Sequence, residues 1–301
     1  MSCHIVVHAR SLPFIRRNVE FLVDELARHH GGAHLLTVEA TLDEARIPAP
    51  SIVYVIGEGL PPFMRRPGLF YVYVNFSVVA FIGNPLLLSP RGARLILRKR
   101  RLMAQKLPLA DVLLDYYPAQ TRVLQRRLAK PVLGFLPCSK GSQEADLPMA
   151  ARDFDLCFVG AISPRRQRVL EAAQAAGLRL SPHDGADLED LTARSRLTLN
   201  LHMQASNHLE IPRIVGSLST ATPVITERSF GLAEMFGGRV GTVQEARIGA
   251  LVPLAERLLA DMSGLEALRA EARQAFDGYR RRASAMLAEA ATEIGARARA
   301  D

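Results

Sequence analysis

The sequence predicts an α/β protein of two domains, and three observations support this. Short apolar runs typical of buried strands alternate with segments of helical period, as in layered α/β folds. The rhythm is interrupted by "PCSKGSQEADLPMAARD", which is rich in Ser, Gly, Pro and charge, and then resumes. The length of 301 residues also exceeds the size of about 250 residues that one core usually supports. We therefore expect an N-terminal domain over residues 1–140, a linker over 141–153 and a C-terminal domain over 154–301, with a ligand cleft between the domains.

The first half begins with a strand at "HIVVHA", followed by a helix over residues 15–29 whose apolar positions have helical spacing. The later runs "SIVYVIG", "GLFYVYVNF", "VLLDYY" and "PVLGFLP" predict further strands. Between the second and third of these lies a basic segment, "PRGARLILRKRRLMAQKL", that predicts a helix. Strands that alternate with helices favour a mainly parallel sheet.

The second half predicts strand "FDLCFVG", helix "QRVLEAAQAAG" and strand "LRLSP", then strand "RLTLNLHM" and strand "PVIT" with a helix between them. Pro212 fixes the start of that helix. Proline is tolerated only in a first helical turn, so the helix begins between residues 208 and 211. A strand near "GRVGTV" and long helices rich in Ala, Leu, Arg and Glu complete the chain.

Composition narrows the classes of function. Hydrophobic residues make up 49% and charged residues 23%, which is typical of a globular protein. Three cysteines without paired spacing predict neither a disulfide framework nor a zinc site, and the N-terminus does not resemble a secretory signal, so we expect a cytoplasmic protein. The net charge of +8 favours anionic partners. Only 6% aromatic residues and no Trp argue against a stacking platform for single-stranded nucleic acid.

The segment "DLCFVGAISPRR" suggests an anion site. Its strand ends at Gly160, and Ser163 precedes a helix that begins near Arg165 and Arg166. Ligands of parallel sheets bind beyond the carboxyl ends of the strands, where a helix N-terminus presents free N–H groups. Two arginines at that end of a helix are unfavourable unless an anion accompanies them. The alternative is a Ser-capped helix with two solvated arginines.

A second polar group surrounds the next strand–helix–strand unit. Its members are Asn200, His202, Glu210, Arg213 and Glu227. Asn200 and His202 share one face of the predicted strand, and Glu210 and Arg213 lie three residues apart at the start of the helix. Glu227 ends the following strand, so all five are expected at one sheet edge. Carboxylates there suit sugar hydroxyls, whereas N–H groups and Arg213 suit a diphosphate.

A purely structural interpretation of the same unit is also open. In it, Asn207 and Glu210 form a capping box, Glu210 and Arg213 form an ion pair, and Glu227 is solvated. Pro212 weakens the capping box, because an Asn207 cap would place the proline too deep in the helix. A metal-binding interpretation of "DFD" (residues 153–155) is disfavoured, because its second Asp opens an apolar strand.

The motifs "DLCFVGAISPRR", "NLHMQASNHLEIPRIVGSLS" and "PVITE" together follow a D-x-x-F-V-G…R-R, N-x-H…L-E-x-x-R-I…L-S, V-I-x-E pattern. This pattern resembles the GT-B superfamily of glycosyltransferases, in particular short single-chain bacterial members with a family 1-like C-terminal domain. The first half matches more loosely, at Asn75, Asp115 and Tyr116, while Ser77 stands in place of the usual Glu and Leu114 in place of Trp.

The resemblance implies two Rossmann-like domains facing across a cleft. It implies that the C-terminal domain binds a nucleotide-diphosphate sugar as donor substrate and that the N-terminal domain binds the acceptor, at Asn75, Asp115 and Tyr116. It further implies metal-independent transfer without a cofactor, in which basic side chains and a helix dipole stabilise the departing diphosphate. The acceptor class stays open among glycans, lipid-linked sugars, proteins and small molecules.

Two further features complete these expectations. An inverting reaction needs a general base; His8, after the first strand, is the first candidate and Glu58, in "IGEG", is the second. The basic run over residues 91–101 could rest on anionic lipid at the inner face of the membrane, and a solvated helix face is the alternative. The rival functions are a catalytically inactive nucleotide-binding or scaffold protein of the same fold and, last, a basic nucleic-acid binder.

Overall fold

A computed structural model describes residues 1–40, 42–43, 46–57, 63–83, 88–141, 147–182, 188–203, 208–238 and 240–300. The chain divides into two compact units. Unit 1 comprises Met1–Ile82, Ala93–Pro137 and Arg281–Asp301, and unit 2 comprises Gly83–Gly92 and Cys138–Arg280. Residues 281–301 thus group with unit 1, although the sequence suggested the second domain. Residues 281–300 belong to an uninterrupted helix that begins at Met262, so no break in secondary structure marks the change.

Unit 1 contains a parallel sheet of six strands within the described residues. The strands are β1 (Ser2–His8), β2 (Ala33–Val38), β3 (Ser51–Ile56), β4 (Leu69–Asn75), β5 (Val112–Asp115) and β6 (Val132–Gly134). Their order is β2-β1-β3-β4-β5-β6. The helices are α1 (Leu12–His30), α2 (Pro90–Lys106) and α3 (Pro118–Arg127). Every residue of β3 and β4 is buried, as expected for central strands covered on both faces.

Unit 2 contains a parallel sheet of four described strands, in the order β10-β9-β8-β7. The strands are β7 (Phe154–Cys157), β8 (Ser195–Asn200), β9 (Val224–Glu227) and β10 (Val243–Ala246). The helices are α4 (Pro164–Ala175), α5 (Leu188–Ala193), α6 (Ile211–Ser219), α7 (Leu232–Phe236), α8 (Leu251–Leu259) and the first part of α9 (Met262–Ala300), whose residues 281–300 group with unit 1. The core includes Leu156, Leu197, Leu199 and Ile225, which are fully buried.

Most expected elements are present, with three differences. Helix α6 begins at Ile211, within the range that Pro212 predicted. The strand predicted at "LRLSP" is wrong, since in that segment only an isolated bridge links Leu156 and Leu180. The last strand begins later than predicted, at Val243. Strand β2 was not predicted, because this edge strand is largely accessible and lacks a strong apolar pattern.

The segment expected as a linker contributes to unit 2. Its residues Met149–Ala151 form a 3-10 turn, and Arg152 beside them is almost fully buried. The Arg152 guanidinium donates to the carbonyl of Thr192 at 3.4 Å and to that of Thr220 at 3.3 Å. These carbonyls lie at the C-terminal ends of α5 and α6, so Arg152 joins the two helix ends to the core.

Within the described parts of the chain, none of the helices combines the length and the apolar character needed to cross a bilayer.

Candidate functional site

The polar residues singled out in unit 2 meet at the carboxyl edge of its sheet. Strands β7, β8 and β9 run parallel and end at Cys157, Asn200 and Glu227. Each is followed by a loop that leads to a helix, so the loops lie along one edge. The site is formed by these loops and by the first turns of α4 and α6.

Arg213, in the first turn of α6, connects the ends of two strands. Its Nε donates to the carbonyl of Val159 at 2.9 Å, and its Nη1 donates to Asn200 Oδ1 at 2.6 Å. Nη1 also lies 2.5 Å from Glu210 Oε2. The guanidinium is stacked over the ring of Phe158, 5.3 Å from its centroid. Arg213 is therefore held in one orientation.

Arg166 is the most enclosed cation of the site, with 3% of its surface exposed. It donates to the carbonyls of Leu201 at 2.6 Å and Ala161 at 2.9 Å, and it lies 3.1 Å from Glu210 Oε1. Burial, followed by repulsion from Arg213, lowers the pKa of Arg166 to about 10, and Glu210 opposes that shift. The group stays charged at neutral pH, and its donors fix the two loops.

Glu210 bridges these two arginines. Burial alone would raise its pKa, but the charges of Arg213 and Arg166 more than compensate and hold the pKa below its ordinary value. Glu210 is the N-cap residue of α6, yet its side chain makes no capping hydrogen bond. Because Pro212 has no N–H and the Glu210 carboxylate contacts Arg166 and Arg213, the first turn of α6 begins without a side-chain cap from Glu210.

Arg165 and Glu227 form the second ion pair. Both guanidinium nitrogens of Arg165 contact the Glu227 carboxylate, one of them at 2.7 Å. Glu227 is 6% exposed and also accepts the backbone N–H of His202 at 2.8 Å. The side chain of His202 contacts Ser229 Oγ at 3.0 Å. This bidentate pair ties the start of α4 to the end of β9.

Gly160 allows the arginines to approach the backbone closely. Its φ of +139° is a conformation that side chains disfavour. A Cβ at this position would lie 2.9 Å from Arg213 Nη2 and 3.6 Å from Arg166 Nη1. A glycine is therefore required here both by the backbone and by the packed guanidinium groups.

The structure brings together all nine unit 2 residues selected from the sequence, namely Gly160, Ser163, Arg165, Arg166, Asn200, His202, Glu210, Arg213 and Glu227. Two parts of the structural interpretation are wrong: neither Arg166 nor Glu227 is solvated. Two other parts are present, the ion pair of Glu210 with Arg213 and the Ser163 cap, which accepts the Arg166 N–H at 3.4 Å. Asn207 lies outside the described residues. A role of the nine in binding a ligand stays a prediction.

Charge balance shows what this edge offers. Three guanidinium groups face two carboxylates, which leaves one positive charge. Because Arg166 and Arg213 are occupied by carbonyls, Asn200 and Glu210, they are better suited to shaping the site than to taking an anion.

Sequence reasoning missed two exposed arginines at the same edge. Arg228 follows β9 and Arg247 follows β10, and the strand register sets Glu227 opposite Ala246. The N–H of Arg228 donates to the Ala246 carbonyl at 3.3 Å, so the two arginines leave adjacent strand ends. Among the described residues neither forms an ion pair. Their position directly after a strand end was the signal that could have revealed them.

The segment after β9 also lies beside the approach to α6. An isolated parallel bridge joins His208 to Phe230. Phe230 is exposed, and the pKa of His208 is lowered by burial and by His202. The bridge therefore sets Phe230 beside His208, two residues before Glu210 and the start of α6.

The polar residues selected in unit 1 form a separate buried network. Asp115 accepts from Asn75 Nδ2 at 2.6 Å, Gln120 Nε2 at 2.8 Å and Thr121 Oγ1 at 2.8 Å. Burial raises its pKa to about 6 although these hydrogen bonds oppose the shift. Asn75 and Gln120 also donate to the Ser77 carbonyl, so the network holds the loop after β4.

The remaining unit 1 candidates are Tyr116, His8 and Glu58. Tyr116 is buried and stacks on Phe76, with ring centroids 6.1 Å apart. His8 ends β1, and its Nδ1 accepts the Arg10 N–H at 3.0 Å, so a neutral ring carries its proton on Nε2. A general-base role for His8 stays a prediction, and it requires the bond to Arg10 to be given up. Glu58 lies outside the described residues.

Where the structure describes the chain, no three His, Cys, Asp or Glu residues are grouped as metal ligands would be. The carboxylates of "DFD" contact arginines instead: Asp153 pairs with Arg194 at 2.7 Å, and Asp155 pairs with Arg196 at 2.9 Å.

Comparison with known proteins identifies the fold. No family model matches the chain, and a search of the curated proteins likewise finds no match. Among solved structures, sucrose-phosphate synthase from Thermosynechococcus elongatus is similar over 100% of this chain and 99% of its own, with a TM-score of 0.61 and 13% identity. WaaG, a glycosyltransferase involved in lipopolysaccharide biosynthesis, is similar over 98% of this chain and 99% of its own, with a TM-score of 0.59 and 13% identity.

Two other matches complete the comparison. HepE from Anabaena, solved in complex with UDP and glucose, is similar over 98% of this chain and 99% of its own, with a TM-score of 0.58 and 12% identity. The chain spans 58% of the length of its match in the GtfA/B complex, with a TM-score of 0.51 and 12% identity. These likenesses show that the chain has the GT-B fold of glycosyltransferases, which confirms the predicted fold class. At 12–13% identity they show the fold alone.

Proposed function

We propose that this protein transfers a sugar from a nucleoside-diphosphate donor to an acceptor hydroxyl, and that the donor binds at the carboxyl edge of the unit 2 sheet. The proposal is carried by three features that converge at one edge of the sheet. They are the start of α6, which has no side-chain cap from Glu210, Gly160 in a conformation that only glycine adopts readily, and guanidinium groups in excess of carboxylates. That HepE was solved with UDP and glucose supports a donor of this class.

The arginines of the site divide into two groups in this proposal. Arg166 and Arg213 are positioning residues, because their donors are occupied by the loops that they shape. Arg228 and Arg247 are exposed, without an ion pair to any described residue, and they supply the cationic contacts to the diphosphate. The N–H groups at the start of α6 add a partial positive charge directed at the same anion.

Catalysis follows from this placement. When the bond between the sugar and the diphosphate breaks, negative charge grows on the phosphate oxygens, and fixed cations and N–H groups stabilise it. Because protein groups make all the proposed phosphate contacts, we expect transfer without a metal ion or a cofactor. Asn75, Asp115 and Tyr116 remain the proposed acceptor-side residues, and His8 or Glu58 the proposed base.

Binding is tested by titration calorimetry of the full chain with UDP, GDP, ADP and dTDP. Arg228→Ala and Arg247→Ala should each weaken the preferred nucleotide about 10-fold or more, because each removes a charge-assisted contact. The control is Arg168→Ala, an exposed arginine of α4 that changes the net charge equally. Equal losses in all three variants, or no binding of any nucleotide at millimolar concentration, would contradict the proposal.

Turnover is tested separately, with a panel of nucleotide sugars and release of the nucleoside diphosphate as the readout. We expect slow hydrolysis of one donor without acceptor, unchanged by EDTA. Tight nucleotide binding without release from any donor, with or without candidate acceptors, would support the inactive scaffold instead.

A further inference from the structure

Helix α2 (Pro90–Lys106) carries the most concentrated positive charge of the chain. It has no acidic residue, and its five arginines are all exposed, namely Arg91, Arg94, Arg98, Arg100 and Arg101. Within the part of the chain that the structure describes, none of these arginines forms an ion pair. Positive charges on one short helix repel each other. Because α2 has no carboxylates to offset this repulsion, its arginines point to an external anion.

The two lysines of α2 are used differently. Lys99 Nζ donates to Ser77 Oγ at 3.3 Å, and the buried Lys106 donates to the Gly57 carbonyl at 3.3 Å and lies over the ring of Tyr73. Together with the buried Ile96 and Met103, these contacts fix which face of α2 packs on unit 1. The lysines anchor the helix, and the arginines are left on its outer side.

The outer face also carries an apolar residue at its centre. Leu97 is 53% exposed, and at 100° per residue it lies on the same side of the helix as Arg94, Arg98 and Arg101. Leu95 and Phe81 are also exposed, at 39% and 45%. An exposed leucine flanked by arginines is the arrangement of a helix lying in a membrane interface.

We propose that the outer face of α2 binds an anionic lipid bilayer, with Leu97 inserted between headgroups and Arg94, Arg98 and Arg101 in contact with lipid phosphates. The partner is a membrane surface and not a nucleic acid, because a polyphosphate chain would make no use of an exposed Leu97. Charge complementarity and the central leucine carry the assignment, which does not depend on the proposed transferase activity.

The test is co-sedimentation of the full chain with vesicles of phosphatidylglycerol and phosphatidylcholine, compared with pure phosphatidylcholine. The double variant Arg98→Gln/Arg101→Gln should lower the partition coefficient about 25-fold, since each cation near an anionic surface contributes about fivefold. The control, Arg126→Gln/Arg127→Gln, removes the same charge from the exposed end of α3 and should change it less than threefold. Circular dichroism and the unfolding midpoint confirm that both variants fold.

A second variant separates insertion from electrostatics. Leu97→Ser should lower partitioning severalfold while leaving the salt dependence of binding unchanged, because it alters no charge. Equal losses for the α2 and α3 double variants would overturn the proposal, since net charge alone would then be responsible. So would binding of random oligonucleotides that depends on Arg98 and Arg101 while anionic vesicles are not bound.

Discussion

Replacement of Gly160 by alanine tests whether the packed arginines depend on close approach to the backbone. The added methyl group would lie 2.9 Å from Arg213 Nη2, which is closer than nonbonded atoms approach. A free arginine could swing aside at little cost. This one is held through Val159 and Asn200 at 2.9 and 2.6 Å, so a displacement breaks hydrogen bonds.

The magnitude has two parts. A side chain at a φ of +139° costs about 1–3 kcal/mol in backbone strain. Losing one or two charge-assisted hydrogen bonds of Arg213 adds about 3 kcal/mol. The variant Gly238→Ala isolates the first part, because Gly238 has a similar φ of +157° and a Cβ there would meet nothing within 4 Å.

Urea unfolding of the two variants measures the difference, and nucleotide titration provides the functional readout. We expect Gly160→Ala to lose about 3 kcal/mol more than Gly238→Ala and to bind nucleotide at least 10-fold more weakly. Equal destabilisation by both substitutions would refute the reasoning. Stability loss with unaltered nucleotide affinity would show that the arginine arrangement does not shape the site.

Two further predictions concern buried polar groups. Thr198 is fully buried in β8 and its hydroxyl has no hydrogen-bond partner among the described residues, so Thr198→Val should leave the free energy of unfolding unchanged or raise it by about 1 kcal/mol. The matched Thr226→Val removes a hydroxyl bonded to Asn200 at 2.9 Å and should be destabilising; thermal unfolding that ranks the two variants in the opposite order would contradict this. In unit 1 the pKa of Asp115 is raised to about 6, so the folded state binds this proton more tightly than the unfolded state does. The resulting contribution of Asp115 to the free energy of unfolding is complete below about pH 4 and is lost as the pH rises through 6. Between pH 4 and 7 the free energy of unfolding of the wild type, measured with urea, should therefore fall by up to about 3 kcal/mol more than that of Asp115→Asn. Parallel pH profiles of the two proteins would disprove the assignment.

The sequence predicted well the features that depend on local rules. Pro212 located the start of α6, and strand ends located the residues that share the unit 2 edge. Spacing could not show which charges neutralise each other, so it did not reveal that Arg166 donates to the Leu201 carbonyl and to Glu210; a role of Arg166 in binding a ligand stays a prediction.

The misses have a similar physical origin. Strand β2 is an accessible edge strand, so it lacks the apolar run by which its buried neighbours were recognised. Arg228 and Arg247 were overlooked because one arginine after a strand is unremarkable, and only the pairing of β9 with β10 makes them neighbours. The grouping of residues 281–301 with unit 1 is a matter of long-range packing, which no local pattern encodes.

The buried guanidinium of Arg152 has a remote electrical consequence. It caps the negative poles of α5 and α6 through Thr192 and Thr220, whereas the opposite pole of α6 lies at the proposed donor site. Because the fixed charge of Arg152 offsets the partial negative charge at the C-terminus of α6, the helix acts on its surroundings mainly through the partial positive charge at its N-terminus. If the proposed donor site is correct, a residue at the far end of the helix thereby strengthens the attraction for the diphosphate without contacting it.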